Sequence, residues 1–175
     1  MAPPEACAPP GELSEVEKDL AGRHAYLRTL SDEHARLMEA MAVIEEVIAS
    51  VEKDGFTEAA DRAVMRFLET LDREFIPHSR EEEARLFPLL HERLIADGEH
   101  SKGRHLTTAI DVMKDEHLKA VQLASVVLNF VRVASVLPDE KSARIVVVAA
   151  MGELSALVEL LRLHIFREDG IVFAQ

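Results

Sequence analysis

The sequence contains little of what cross-links many small proteins or carries them into membranes. Its 175 residues include one cysteine and no tryptophan. Cys7 therefore has no partner for an internal disulfide, and no cysteine pair is present for a zinc ribbon. A membrane-spanning helix needs about 20 apolar residues in succession, whereas the apolar run at residues 145–151 is far shorter. We therefore expect neither disulfides nor a membrane span.

Basic residues are also in short supply. The chain has 20 Lys and Arg against 32 Asp and Glu, a net charge of −12. Surfaces that bind nucleic acid or anionic lipid need a basic patch, so neither partner is expected. The first residues lack the basic and apolar regions of a secretory signal peptide, and the expected location is therefore the cytoplasm.

Proline is concentrated at one end of the chain. Four of the seven prolines fall within residues 1–12, which we interpret as a disordered lead-in. Residues 13–175 are rich in helix-forming residues and suit a single domain of ordinary size. Long stretches with period-two alternation, which would indicate a sheet, are missing from them.

Apolar residues recur every three or four positions in four long segments, which predicts four amphipathic helices. Pro77 lies inside the second segment and should kink it. Short joints between long helices are typical of an all-α, up-down-up-down four-helix bundle. The predicted helices begin after Ser14, at Thr57, near Arg104 and after Asp139, and they end near Glu52, Ala96, Ser135 and beyond Phe166.

Each of the four apolar stripes contains one histidine. A single histidine on an apolar face is usually a core residue with a satisfied hydrogen bond. Here, however, each of the four predicted helices has a histidine on its apolar face. Two of the histidines are followed four residues later by a glutamate, a spacing that puts both side chains on one helix face. The residues concerned are His34, His78 with Glu82, His117, and His164 with Glu168.

Burying two glutamates in a bundle core is costly unless their charge is compensated. The stripes contain no Lys or Arg that would pair with Glu82 or Glu168. A cation is the simplest compensation, and imidazole together with carboxylate suits iron, manganese or zinc. Four imidazoles and two carboxylates are too many ligands for one tetrahedral ion, but they fit two ions bridged by the carboxylates.

An internal repeat supports a paired site. The Asp-Glu-His that ends at His34 recurs as the Asp-Glu-His that ends at His117, and the two His-x-x-x-Glu steps recur as well. Each half of the chain thus forms a helical hairpin with two histidines and one glutamate. Two such hairpins would meet around a pseudo-twofold site.

Together these features resemble the hemerythrin-like proteins, which carry the HHE cation-binding domain. The resemblance covers about residues 24–175 and rests on the two Asp-Glu-His motifs, the run HSREEEARLFPLL (78–90) and the tail HIFREDGIVFAQ (164–175). It implies a non-haem di-iron site in a four-helix bundle, with zinc or manganese as substitutes for iron. By position, His34, His78, His117 and His164 would be terminal ligands, and Glu82 and Glu168 would bridge the ions.

The sequence departs from the oxygen-carrying hemerythrins in the third helix. Those proteins have a fifth histidine one turn before the third-helix ligand, where this chain has Met113. His24 and His105 are weaker candidates for the missing ligand. Asp169 is an alternative to Glu168, because the family also uses an aspartate five residues after its fourth-helix histidine.

Acidic residues next to the predicted ligands have a second interpretation. Glu81 and Glu83 flank Glu82 and should be exposed, although contact with a ligand imidazole is an alternative. Glu33 and Glu116 precede ligand histidines, but adjacent helix positions point about 100° apart. We therefore expect both of them to lie outside the site.

Three functions from different classes fit these observations. The first is a di-iron protein that binds O2 or another small diatomic ligand, or senses oxygen, redox state or iron, and passes any signal to an unidentified protein partner. The second is a di-iron enzyme that consumes peroxide or nitric oxide, although the sequence identifies no catalytic residue. The third is a structural interaction module that holds zinc or no metal.

Overall fold

The computed structural model of this chain describes the backbone of residues 15–171 and the side chains of residues 25–170. This part is all-helical and contains no strand; the predicted lead-in, residues 1–12, lies outside it. Four continuous helical segments of this described part, called here rods, make up the bundle. The second rod consists of three α-helices joined by two π turns, Leu71–Phe75 and Glu82–Leu86. The helices are α1 (Glu15–Asp54), α2 (Glu58–Thr70), α3 (Ile76–Glu81), α4 (Phe87–Ala96), α5 (Ala109–Val136) and α6 (Glu140–Ile171).

The helix ends follow local chemistry. Helix α1 stops at Asp54 because Gly55 takes a φ of +84°, which favours glycine. The Thr57 hydroxyl then accepts a hydrogen bond from the Ala60 amide and caps α2. Helix α5 begins at Ala109 rather than near Arg104, because Thr108 and Asp111 form a reciprocal capping box. The predicted start of the third helix was therefore wrong.

The π turns lie directly before two prolines, Pro77 and Pro88. A proline has no amide hydrogen, and its ring clashes with the carbonyl four residues earlier in an α-helix. A widened turn displaces that carbonyl, and the disturbance predicted at Pro77 takes this form. The hydrogen bonds that define the turns join residues five apart, from the Ile76 amide to the Leu71 carbonyl and from the Phe87 amide to the Glu82 carbonyl.

The helices pack around one main core. Helix α5 runs along α6, α1 contacts α2 and α6, and α2 and α4 contact α5. The main core fills the space between α1, α2, α5 and α6, whereas a second, smaller apolar cluster lies between α4 and the start of α5. This smaller cluster, called here the apolar cap, consists of Phe87, Leu94, Ile110 and Met113.

One helix of the described residues, Ala109–Val136, is long and apolar enough to cross a membrane by length and composition alone. Core helices of soluble proteins also pass that test. Here the helix contributes the buried side chains of Met113, His117, Val127 and Val131 to the bundle. The absence of a membrane span therefore stays a prediction.

Candidate metal centre

The structure brings the six residues named as ligands into one buried layer between the main core and the apolar cap. Each of them is at most 5% exposed. Their donor atoms form two overlapping groups, within each of which all atoms lie within 4.8 Å of one another. The first position is His34, His78, Glu82 and Glu168, and the second position is Glu82, His117 and His164.

The histidines face each other in pairs. The Nε2 atoms of His34 and His78 are 3.1 Å apart, and those of His117 and His164 are also 3.1 Å apart. Each pair joins two neighbouring helical rods, α1 with α3 and α5 with α6. The two hairpins of the sequence repeat therefore each supply one pair.

Glu82 and Glu168 lie between the two pairs. The Glu82 Oε1 is 3.3 Å from His78 Nε2, and its Oε2 is 3.5 Å from His117 Nε2. The Glu168 Oε2 is 3.1 Å from His34 Nε2 and 3.4 Å from His164 Nε2. Glu168 Oε2 is also 4.0 Å from His78 Nε2. Each carboxylate thus approaches at least one histidine of each pair, as a bridging ligand would.

The oxygens of these two glutamates are otherwise unsatisfied. All four are buried, and none has a hydrogen bond of normal geometry to another described residue. Two carboxylates buried without hydrogen bonds would cost several kcal/mol, an order-of-magnitude figure. Such oxygens are what a metal ion binds, so this observation fits a resident cation.

A carboxylate holds the outer nitrogen of each histidine in the first pair. His78 Nδ1 is 2.8 Å from Glu33 Oε2, and His34 Nδ1 is 2.9 Å from Asp169 Oδ1. In both contacts the acidic residue is on a different helical rod from the histidine that it holds. Asp169 therefore contacts the outer side of His34, away from the paired Nε2 atoms.

The second pair repeats this pattern. His117 Nδ1 is 2.8 Å from Glu83 Oε1, and His164 Nδ1 is 3.1 Å from Glu116 Oε2. Glu116 also accepts a hydrogen bond from the guanidinium of Arg167. We call Glu33, Glu83, Glu116 and Asp169 the outer carboxylates.

The outer carboxylates determine which ring nitrogen carries hydrogen. An ionised carboxylate only accepts, so each Nδ1 must donate and each Nε2 of a neutral imidazole presents a lone pair. Four lone pairs on nitrogen and the glutamate oxygens then converge on the same small space. They repel one another unless a positive charge lies between them.

The two histidine pairs differ in their electrostatic surroundings. Burial lowers the pKa of His78, but the carboxylates of Glu168 and Glu82 outweigh burial and raise that pKa to about 10. Burial likewise lowers the pKa of His34, and Glu168 and Asp169 outweigh it and leave that pKa above its ordinary value. In the second pair burial dominates: it lowers the pKa of His117 and brings the pKa of His164 down to about 4.

The pKa values of the two glutamates are shifted in opposite directions. Burial raises the pKa of Glu82 to about 8. Burial also raises the pKa of Glu168, but the nearby imidazoles of His34 and His78 outweigh it and hold the pKa of Glu168 below its usual range. Without a metal, protons would therefore neutralise part of the layer.

Aromatic rings form the walls around the second pair. The Phe87 ring stacks on His117 with centroids 5.5 Å apart. Phe75 presents its ring edge-on to His117 and His164, at 5.7 and 6.3 Å. Met113, one turn before His117, is 1% exposed and belongs to the apolar cap. Phe75 and Phe87 therefore give the second pair an apolar wall.

Of the weaker candidates, His105 and Asp169 are not among the residues of the two donor groups. His105 is exposed in the loop between α4 and α5, four residues before α5 begins, and is not part of either donor group, so the structure does not support it as a ligand. His24 lies on α1, but its side chain is outside the described residues. Asp169 is half exposed and serves as an outer carboxylate.

The expectation that Glu33 and Glu116 lie outside the site was wrong. Neither reaches its neighbouring histidine, but each bonds a histidine of another rod. Glu83 is exposed, as predicted, and it also makes the contact with a ligand imidazole that was the alternative. The sequence carried a signal for all four outer carboxylates: an acid precedes His34 and His117, and an acid follows Glu82 and Glu168.

A groove of about 1090 Å³ opens at the end of the bundle away from these residues. Its lining includes Val51, Phe56, Val131 and Val147, and none of its lining residues belongs to the candidate metal centre. Its mixed apolar and charged surface shows no convergence of ligand atoms. The chemistry of the described residues is therefore concentrated in the buried layer.

Comparison with known proteins agrees with the site. The family model for the hemerythrin HHE cation binding domain matches residues 25–175, a range that contains all six central residues. This match confirms the resemblance inferred from the sequence motifs. No curated protein and no solved structure matches the chain.

Proposed function

Because the chain belongs to the hemerythrin HHE cation-binding family, we propose that it is a di-iron protein. In this proposal it binds O2 or another small diatomic ligand, or senses oxygen, redox state or iron. The observation that carries the proposal is the convergence of four histidine Nε2 atoms on glutamate oxygens that have no hydrogen-bond partner among the described residues. Two iron ions held there would supply reversible redox chemistry and free coordination positions for a small ligand.

The donor set favours iron over a structural zinc. Structural zinc sites have four ligands around one ion and are dominated by cysteine and histidine. Here six donors are shared by two positions, and Glu82 belongs to both. Manganese and zinc suit the same donor types, so they are substitutes that metal analysis must distinguish.

The protein itself contributes orientation and charge. The outer carboxylates fix each imidazole with its Nε2 directed inward, which a ligand histidine requires. Phe75 and Phe87 pack against the histidines of the second position and give it an apolar wall. We also propose that the four rods run up, down, up and down, because the joints at residues 55–57 and 137–139 are short.

A second candidate is a di-iron enzyme that consumes peroxide or nitric oxide. Tyr26 favours it: its hydroxyl is buried, and it has no hydrogen-bond partner among the described residues. Burial raises the pKa of Tyr26 to about 12, so the hydroxyl keeps its proton at neutral pH. Consumption of either substrate above the rate of free iron, lost in Tyr26→Phe, would support this candidate.

The setting of the protein is part of the proposal. We propose a cytoplasmic protein that does not bind nucleic acid or membranes, in line with the net charge of −12. A regulatory output would require a protein partner.

Metal content per chain tests the proposal directly. The protein should be produced with iron available and purified without a metal-binding tag, then measured by elemental analysis and absorption spectroscopy. We expect close to two irons per chain and charge-transfer absorption in the near ultraviolet. One zinc or no metal would contradict the proposal and favour the structural interaction module.

A ligand variant and a matched control sharpen that result. His78→Ala combined with Glu82→Ala should reduce bound iron well below two per chain. His91→Ala is the control, since His91 lies on the same rod but bonds Thr108 outside the layer. Unchanged loading in the double variant would show that these ligands are wrongly assigned.

A further inference from the structure

The two metal positions differ in their number of protein donors. The first position has four, His34, His78, Glu82 and Glu168, whereas the second has three, Glu82, His117 and His164. One turn before His117 on the same helix, the side chain is the buried Met113. Both positions have two imidazoles, and the difference lies in Glu168, whose Oε2 is 3.1 Å from His34 Nε2 but 3.4 Å from His164 Nε2.

The outer carboxylates add a second difference. Glu33 and Asp169 support the first position, whereas Glu83 and Glu116 support the second. Within residues 25–170, Arg167 is the one arginine or lysine in ion-pair contact with any of these four carboxylates, and its partner is Glu116. Glu116 is also the least exposed of the four, with 11% of its side chain accessible against 27–50% for the others.

The effect of that contact follows from elementary electrostatics. Glu116 accepts the Nδ1 hydrogen of His164, so its negative charge makes the imidazole a better donor to a metal. A guanidinium on the other oxygen cancels much of this charge and adds its own repulsion toward a cation a few Å further on. The contact therefore weakens cation binding at the second position and leaves the first little changed.

We propose that the two metal positions bind their ions with unequal affinity and that the His34/His78 position fills first. Arg167 is a positioning residue that accounts for part of this difference in affinity through its contact with Glu116. This inference rests on the proposed metal-binding function. It predicts that the second position binds its ion more weakly than the first. Phe75 and Phe87 pack against the histidines of that position.

Stepwise titration of the metal-free full chain with Co²⁺ tests the order of filling. Binding is followed by calorimetry and by the visible absorption of cobalt at neutral pH. We expect two dissociation constants that differ by about tenfold or more. His34→Ala should remove the tighter event, and His117→Ala should remove the weaker one.

Substitution of Arg167 tests its role. Arg167→Met should tighten the second event about fivefold and leave the first unchanged. Arg167→Lys should retain the wild-type constants. Arg162→Met is the matched control, because Arg162 lies on the same helix, has similar exposure and pairs with Glu45 outside the layer.

A double variant separates charge from mere structural support. Glu116→Gln alone leaves Arg167 without its carboxylate and should loosen the second event. Glu116→Gln combined with Arg167→Met restores neutrality and should return the constant toward the wild-type value. A purely structural contact predicts instead that the double variant is at least as impaired as Glu116→Gln.

Three results would overturn the inference. They are equal constants in the wild type, loss of the weaker event in His34→Ala, and a second constant that is unchanged or loosened in Arg167→Met. A wild-type protein that binds no cobalt would instead refute the proposed metal-binding function itself. The two failures are therefore distinguishable.

Discussion

The same helical rods build two very different regions of the bundle interior. Met41, Ile44, Val127 and Leu154 belong to the main apolar core, and these four are at most 1% exposed. One layer further along, the interior contains four histidines and two glutamates, each at most 5% exposed. The apolar region is stabilised by burial alone, whereas the metal layer gains from burial only if a cation compensates its charge. Stability and function are therefore assigned to different parts of one core.

The largest expected effect comes from opening a cavity in the apolar region. Leu154→Ala should lower the free energy of unfolding by about 2–5 kcal/mol, since the side chain is fully buried. Urea unfolding measures the loss, with and without metal. Metal content should stay unchanged; a drop in bound metal would mean that the two regions are not separable.

Removal of the metal should affect the other region. At a free metal concentration one hundred times its dissociation constant, binding to the folded state adds about 2.7 kcal/mol. Thermal unfolding before and after treatment with a chelator measures this difference. In the His78→Ala/Glu82→Ala variant, the chelator should hardly change the melting temperature. A wild-type melting temperature that does not change with chelator would contradict the ligand assignment.

The metal-free protein should lose stability as the pH rises above about 6.5. The pKa of Glu82 rises from 4.5 to about 8 on folding, and that of His78 from 6.5 to about 10. Between the unfolded and the folded pKa of each group, the folded state binds more protons than the unfolded state, so deprotonation favours unfolding. The pKa of His164 falls from 6.5 to about 4, which makes stability rise with pH only below 6.5.

Unfolding of the chelator-treated protein between pH 6.5 and 9 measures this trend. Glu82→Gln should make the slope shallower, because glutamine cannot lose the proton. The metal-bound protein should not show the decline, since the cation replaces the protons. An apo protein that becomes more stable from pH 6.5 to 9 would refute the proposed charge balance.

The smallest effect is expected on the outer surface of α6. Gly152 is exposed in the helix interior, and an added Cβ would meet nothing within 4 Å. Gly152→Ala should therefore raise the free energy of unfolding by about 0.5–1 kcal/mol through helix propensity. Denaturant titration detects the gain, and metal affinity should remain the same. A destabilised variant would indicate a close contact at this face in solution.

Much of the fold and the centre of the site was predictable. Apolar periodicity identified the four helical segments, and the His-x-x-x-Glu spacing selected His78 with Glu82 and His164 with Glu168. Both signals depend only on which residues share a helix face. The family match supports the metal-binding class, while iron, the ligand and the location remain proposals.

The predictions that failed within the site concern side-chain contacts between neighbouring rods. Glu33 was expected outside because it points away from His34, yet the rotation of α1 against α3 brings it to His78. Its repeat partner Glu116 reaches His164 for the same reason. The π turns before Pro77 and Pro88 were not foreseen either, because a widened turn is one of several ways in which a helix accommodates proline.

The sequence by itself determined the helices, the buried histidines and glutamates, and the need for a compensating cation, because these follow from helical period and the cost of burying charge. Only the tertiary structure decided which acid holds which imidazole and how the six donors divide between two positions. It also decided that Arg167 contacts Glu116 alone among the outer carboxylates of the described residues. Contacts between rods depend on helix rotation and register, which are set by packing of the whole core rather than by any local pattern.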